Sequence, residues 1–168
     1  MARRISELLY PRLTVLITTC DKRGRPNVAA FSFLMPISFD PKYLAFAVAP
    51  TRHTFDNLKE VGEFVVNVPT AEMLDKVWIC GKLSGRDSDK FRMTGLTPVP
   101  SRVVRPPRVE ECPVQLECIV EEMKEYGDHY LVVGKVVAEH VSKLDFQPLL
   151  HLSGSTFFKV GGSLKAKE

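Results

Sequence analysis

A single long β-hairpin dominates the sequence, and it lies in the stretch VQLECIVEEMKEYGDHYLVVGKVVAEHV at residues 114–141. Apolar residues alternate with polar ones at the start of this stretch, which is the period of a strand with one buried face. Gly127 and Asp128 favour a tight turn, and a second apolar-rich segment follows at once. We therefore predict two long antiparallel strands over residues 114–125 and 129–141.

Shorter strands are predicted on both sides of this hairpin, each bounded by turn residues. They cover residues 13–19, 27–34, 43–48, 63–68, 149–152 and 156–160. Pro36 and the Asp40-Pro41 pair are expected to interrupt the chain between residues 34 and 43. Short helices are predicted at Thr54, Thr70 and Ser88, each of which can cap a helix N-terminus. Because strands dominate and do not alternate with helices, we predict a mainly β fold, an antiparallel barrel with a few short helices.

The chain has 168 residues, and we predict a single domain over residues 1–168 with its core at about 10–160. Its net charge is only +3 and the basic residues are scattered, which argues against a nucleic-acid surface. The longest apolar run, at residues 43–50, is far shorter than the roughly 20 residues of a membrane span. No apolar segment of signal-peptide length follows Arg3 and Arg4, so we predict a cytoplasmic protein.

The cysteines and histidines do not form a dithiol or metal-binding pattern. No pair among the four cysteines is spaced as C-x-x-C, and the four histidines are not at metal-ligand spacing, so we predict no metal site. Cys118 alternates with apolar residues and is predicted to pack in the core. Cys80 is open to two interpretations, packing on a helix face or redox chemistry, and packing is favoured.

Two segments combine the start of a short helix with basic side chains. The first is Thr51-Arg52-His53-Thr54, directly after an apolar strand, and the second runs from Ser84-Gly85-Arg86 to Lys90. The free N–H groups and partial positive charge of a helix N-terminus suit a phosphate, and nearby hydroxyl or basic groups add to this. Either segment alone is better explained as an ordinary helix cap, but the pair favours a phosphorylated ligand.

A series of short motifs in a fixed order extends this pattern from about residue 13 to residue 158. They are NVAAFSF (27–33), ISFDP (37–41), TRHT (51–54), GEFVVNV (62–68), SGRDSDKF (84–91), GLT (95–97) and GDH (127–129). The ordered set resembles the flavin reductase-like family of FMN-binding split barrels, including its flavoredoxin and ferric reductase-type members. The resemblance implies a split β-barrel, six-stranded, antiparallel and of Greek-key topology, in a homodimer with FMN near the dimer interface.

The resemblance also implies roles for individual positions. It places Asn27, Ala30, Phe31, Ser32 and Phe33 along the flavin, Thr51, Arg52, His53 and Thr54 on the phosphate side, and Ser84, Gly85, Arg86 and Lys90 close by. It places His129 near the flavin and the nicotinamide, as the candidate catalytic residue. The chain departs from the family at Ala29 and Ala30, where hydroxyl side chains are common, and at Pro41-Lys42, where a double proline is usual.

The residues themselves leave two of these assignments open. Phe31 and Phe33 are two positions apart and share a strand face, so one of them is expected to pack in the core. His129 is equally compatible with a turn histidine that is hydrogen-bonded to the backbone.

The favoured function is an NAD(P)H-dependent flavin or ferric-chelate oxidoreductase, with FMN as cofactor and NADH or NADPH as hydride donor. Its electrons would pass to free flavin, a ferric chelate or a redox partner protein, and the cofactor would carry the chemistry. The alternative is a flavoredoxin-like electron carrier, or a flavin-binding module, without NAD(P)H turnover. A barrel that binds single-stranded nucleic acid is a third class, but the weak net charge and the single Trp argue against it.

Overall fold

The computed structural model describes residues 3–166, so the predicted domain limits at residues 1 and 168 lie outside it. The strands are β1 (Arg12–Leu13), β2 (Val15–Cys20), β3 (Pro26–Phe31), β4 (Leu34–Phe39), β5 (Lys42–Val48), β6 (Glu63–Val68), β7 (Pro98–Val99), β8 (Arg108–Val109), β9 (Val114–Tyr126), β10 (His129–Val141), β11 (Leu150–Ser153) and β12 (Thr156–Phe158). The helices are α1 (Ile5–Leu8), α2 (His53–Val61), a 3₁₀ turn (Ala71–Met73), α3 (Leu74–Lys82) and α4 (Lys90–Thr94). No helix within residues 3–166 is long and apolar enough to cross a membrane.

The main sheet has seven strands in the order β3-β2-β6-β9-β10-β5-β4, and its neighbours are antiparallel. The edge strands β3 and β4 are joined only by Ser32 and Phe33. In a flat sheet these edges would lie about 29 Å apart, at roughly 4.8 Å per strand. A link of this length spans at most about 11 Å. The sheet must therefore curl until its edges approach, which makes a barrel split along one seam.

The predicted mainly β, split-barrel class is confirmed, although the sheet has seven strands where the resemblance implies six. The strand that the sequence did not indicate is β4, because it contains Pro36. β4 is an edge strand, and its register with β5 shifts between Pro36 and Ser38. Proline is tolerated there because an edge strand leaves a row of N–H groups unpaired.

Two hydrophobic cores lie on opposite sides of β2, which is buried along its whole length. Val15 and Ile17 pack in the first core, with Phe46, Phe64 and Cys118. Leu16 packs in the second core, with Val77, Cys80 and Phe91 from α3 and α4. This second core fixes α3 and α4 against the outside of the barrel.

The core positions predicted for Cys118 and Cys80 are confirmed, since both side chains are buried. All four cysteines are free thiols. Burial raises the pKa of Cys80 to about 11 and also raises the pKa of Cys118. Both groups are therefore neutral thiols near pH 7, which suits packing rather than redox chemistry.

A fully buried carboxylate, Glu117 on β9, holds the proline-rich segment 98–109 against the barrel. Its oxygens accept hydrogen bonds from the backbone N–H groups of Arg102, Val103 and Val104 at 2.8, 2.7 and 3.1 Å. His140 Nε2 lies 2.6 Å from the same carboxylate. Burial would raise the pKa of this carboxyl, but the backbone donors and His140 outweigh burial and lower it. Glu117 is therefore ionised at neutral pH and fully satisfied.

Candidate functional site

A cavity of about 580 Å³ lies where β3, α2, α3 and the segment 84–87 meet. Every site residue selected from the sequence lines it: Asn27, Ala30, Phe31, Ser32, Phe33, Thr51, Arg52, His53, Thr54, Ser84, Gly85, Arg86, Lys90 and His129. The volume falls within the roughly 300–1,000 Å³ of small-molecule and cofactor sites. The structure thus brings residues from distant parts of the chain to one place.

The cavity also has lining residues that the sequence reasoning missed. They are Ala29, Ala47, Ala49, Cys80, Gly81, Leu83 and Asp87. Leu83 adjoins the predicted second segment, and Asp87 lies within it. Ala47 and Ala49 share one face at the end of an apolar strand, and small side chains at period two indicate space beside that face. That signal was available in the sequence.

Strand residues form an apolar part of the wall, and the two phenylalanines have different roles there. Phe31 packs edge-on against Phe46 with ring centroids 5.3 Å apart, so it is the member of the pair that belongs to the core. Phe33 is more exposed, and its ring lies 6.0 Å from that of His129. Phe33 is therefore the aromatic ring available to a ligand.

A polar part of the wall is built around a buried amide, Asn27 on β3, which is 4% exposed. Its Nδ2 donates to Thr54 Oγ1 at 3.2 Å, whereas its Oδ1 has no hydrogen-bond partner among residues 3–166. A Cβ at Gly85 would lie 2.0 Å from this Oδ1, so only glycine lets the segment 84–87 approach so closely. An unpaired buried acceptor in a cavity wall suits a ligand that carries an N–H or O–H group.

The start of α2 differs from the prediction in its cap. Arg52, not Thr54, is the N-cap residue, Thr54 lies inside the first turn, and no side chain caps the helix. The N–H of Phe55 donates to the Arg52 carbonyl at 3.0 Å, whereas the N–H groups of His53 and Thr54 are left for another acceptor. The Thr51 carbonyl instead accepts from Arg86 Nη1 at 2.7 Å. Similarly, Asp89 rather than Ser88 caps α4, through a bond from Arg92 N.

Two basic side chains of the cavity, Arg86 and Lys90, differ in whether a carboxylate balances their charge. Arg86 is paired with Asp56 at 2.6 Å, so its charge is largely balanced within the protein and it ties the segment 84–87 to α2. Lys90 is only 5% exposed, and the described residues provide no carboxylate partner for it. Its Nζ donates to the carbonyls of Cys80 and Leu83 at 3.3 and 3.4 Å. One of the three N–H donors of the ammonium is therefore available to a ligand. Burial lowers the pKa of Lys90 to about 8.

His129 begins β10 beside the cavity, and its partner is a side chain rather than the turn backbone. Its Nδ1 lies 2.7 Å from the Asp128 carboxylate. Hydrogen bonding to His129 lowers the pKa of Asp128, so this carboxylate is an acceptor and Nδ1 carries the proton. In the neutral ring this leaves Nε2 as an acceptor for a further contact.

Comparison with known proteins identifies the family of the chain. A family model described as flavin reductase like domain matches residues 7–158. A protein of Archaeoglobus fulgidus is 42% identical over 139 residues, which are 83% of this chain and 76% of that protein. Flavoredoxin from Methanosarcina acetivorans superposes with a TM-score of 0.87 at 28% identity, over 99% of this chain and 94% of its own.

The FMN-binding protein from Thermus thermophilus has the same fold, with a TM-score of 0.86 at 22% identity over 96% of this chain and 93% of its own. The match over residues 7–158 confirms the resemblance found in the sequence. The chain belongs to the flavin reductase-like family.

Proposed function

We propose that the protein binds FMN in the 580 Å³ cavity and acts as an oxidoreductase with NADH or NADPH as hydride donor. The observation that carries the proposal is the combination, around one cavity, of an apolar strand wall, the unpaired acceptor of Asn27 and the buried ammonium of Lys90. The Thermus thermophilus protein of the same fold is an FMN-binding protein, which supports the choice of cofactor.

The chemistry of the lining residues fits FMN from end to end. The faces of the flat ring suit the small side chains of β3 and β5 together with Phe33. The ribityl chain carries hydroxyl groups, one of which would donate to Asn27 Oδ1. The phosphate would meet the free donor of Lys90 and the uncapped N–H groups of α2. FMN, when bound, supplies the hydride acceptor, and the protein orients the reactants and excludes water.

A flavoredoxin-like electron carrier is the second candidate, and the similarity to the Methanosarcina acetivorans flavoredoxin favours it. In that case a redox partner protein, rather than a nicotinamide, would exchange electrons with the bound flavin. Steady-state oxidation of NADH and NADPH by the FMN-loaded protein separates the two functions. Turnover well above that of free FMN supports the oxidoreductase, and its absence with both donors supports the carrier.

FMN is expected to bind at least about tenfold more tightly than riboflavin, because only FMN offers a phosphate to Lys90 and α2. Quenching of flavin fluorescence during titration of the apoprotein measures both dissociation constants. Equal affinities would mean that the phosphate does not contact this cation.

Replacement of His129 by alanine is expected to slow reduction of bound FMN by NADH or NADPH about 10- to 100-fold, with little change in FMN affinity. The imidazole lies beside Phe33 at the cavity, where it can orient a hydride donor, and orientation acts on rate more than on ground-state binding. Stopped-flow absorbance at the flavin band measures the rate, and Lys124→Gln, on the same hairpin but outside the cavity, is the control. A variant that melts earlier but reduces FMN at the parental rate would assign His129 a purely structural role.

A homodimer is also part of the proposal, and the exposed edge strand β4 supports it. Met35, Ile37 and Phe39 on this strand are 53%, 46% and 96% exposed. Unpaired edges with large apolar side chains need a cover. Sedimentation velocity at micromolar concentration is expected to give a dimer, and Phe39→Glu is expected to weaken it. A monomeric parental protein that still binds FMN tightly would contradict this arrangement.

A further inference from the structure

A second cavity, of about 220 Å³, lies next to the proposed flavin site. It is bounded by Thr14, by α3 and by the β11–β12 hairpin. Ala30, Phe31, Ser32 and Gly81 line both cavities, so the end of β3, the first link residue and one glycine of α3 separate them. Nothing in the proposed function uses this second cavity.

The size and lining of the second cavity select a small planar ligand. An apolar cavity of about 150 Å³ holds benzene, so 220 Å³ accommodates one aromatic ring with a substituent. Trp78, His151 and Phe157 are the aromatic residues of its wall besides Phe31, whose ring packs in the first core. The rings of His151 and Phe157 lie 4.8 Å apart. Aromatic walls favour an aromatic guest over a polar one of equal size.

One buried polar group in this wall lacks a partner. Thr14 is 3% exposed, and its Oγ1 has no hydrogen-bond partner within residues 3–166. His151 cannot supply one, because its Nδ1 lies 3.1 Å from Ser32 Oγ and its Nε2 lies 3.0 Å from the Gly154 carbonyl. The Thr14 hydroxyl is therefore free to donate to an acceptor on a ligand.

The charged residues around the cavity favour a ligand with a negative charge. Lys82 lines the cavity and is exposed, and no Asp or Glu of the described chain lines it. A cation and a free hydroxyl donor beside aromatic walls match a ring that carries an anionic acceptor. We propose that the second cavity binds an aromatic carboxylate of one ring, with benzoate as its simplest representative. This proposal does not rest on FMN binding.

The single tryptophan of the chain, Trp78, lies in the cavity wall and provides the readout. Titration of FMN-free protein with benzoate, followed by tryptophan fluorescence and by calorimetry, is expected to show saturable binding at one site. Benzamide has the same shape without the charge and is expected to bind at least about fivefold more weakly. A linear, non-saturating response to benzoate, or equal affinities for the two compounds, would overturn the proposal.

Variants test the two polar contacts separately. Lys82→Gln and Thr14→Val are each expected to weaken benzoate binding about fivefold to tenfold. Thr14→Ser, which keeps the hydroxyl, and Lys76→Gln, which alters a lysine of α3 outside the cavity, are expected to retain parental affinity. If Thr14→Val does not fold, the test rests on the benzoate affinities of Lys82→Gln and Thr14→Ser. Parental affinity in Lys82→Gln would overturn the proposal.

The same titration with FMN-loaded protein separates this site from the flavin site. Benzoate affinity is expected to be retained when FMN is bound. Loss of benzoate binding on saturation with FMN would show that the second cavity is part of the flavin site, and it would overturn the proposal. Failure of FMN to bind would leave the benzoate result in apoprotein unaffected.

Discussion

Replacing Lys90 by methionine is expected to weaken FMN binding by about 1.5–3 kcal/mol, roughly 10- to 150-fold, while riboflavin affinity stays the same. The ammonium is buried, has one donor left after its bonds to Cys80 and Leu83, and lines the proposed phosphate end of the cavity. Hydrogen bonds to charged groups are worth most where water is excluded. Methionine has a similar length, so the fold is expected to remain intact.

Flavin fluorescence titrations of FMN and riboflavin measure this effect, and thermal melting monitors the fold. Lys76→Met is the matched control, since Lys76 lies outside the cavity and its Nζ donates to the Gly95 carbonyl. A loss of affinity that is equal for FMN and riboflavin would place the phosphate elsewhere. Parental FMN affinity in the variant would do the same.

The pH dependence of FMN affinity provides a second signature of Lys90. Burial lowers the pKa of Lys90 to about 8, so the free protein loses the ammonium as pH rises through that value. Only the ammonium attracts the phosphate, and the dissociation constant of FMN is therefore expected to increase above about pH 8. Lys90→Met has no such group, and its FMN affinity is expected to be flat between pH 7 and 9.

Replacing Glu117 by leucine is expected to destabilise the protein by about 4 kcal/mol or more. The change leaves the N–H groups of Arg102, Val103 and Val104 without an acceptor, and each unsatisfied buried donor costs about 1–3 kcal/mol. Glu117→Gln retains one oxygen acceptor and is expected to cost less. A loss of this size is a large part of the roughly 5–15 kcal/mol that holds a domain folded.

Urea unfolding measures these free energies, and limited proteolysis tests release of the segment 98–109. Glu121→Gln on the same strand is the control, because Glu121 is exposed. The pKa of Glu117 is lowered in the folded protein, so its contribution is present above the unfolded pKa of about 4.3 and is lost as pH falls through the folded value. A stability of Glu117→Leu within about 1 kcal/mol of the parental value would show that segment 98–109 is held by other contacts.

The sequence was informative where the pattern is local. The hairpin at residues 114–141 appears as β9 and β10 with almost the predicted limits, because alternation and a Gly-Asp turn specify it without distant partners. The site residues were found through an ordered series of motifs. Their meeting at one cavity agrees with that series, while their contacts with FMN stay a prediction.

The sequence was uninformative where a residue's role depends on the assembled sheet. Pro36 lies in a strand because that strand is at an edge, which is a property of the whole barrel. Glu117 is buried because its partners are backbone groups of an irregular segment, and no side-chain pattern marks them. Arg86 pairs with Asp56, thirty residues away along the chain, so its structural role could not be separated from a ligand role.

The two-residue link between β3 and β4 has two roles: it holds the edges of the sheet together, and it forms part of the cavity wall. Ser32 and Phe33 tie the two edges of the sheet, Phe33 accepts a backbone bond from Ala47 at 2.9 Å, and both residues line the cavity. Widening of the cavity at this link would move the two edge strands apart and strain the hydrogen bond between Ala47 and Phe33. Opening of the cavity at this link is therefore coupled to separation of the two edge strands. A ligand bound in the cavity is expected to raise the free energy of unfolding of the whole barrel.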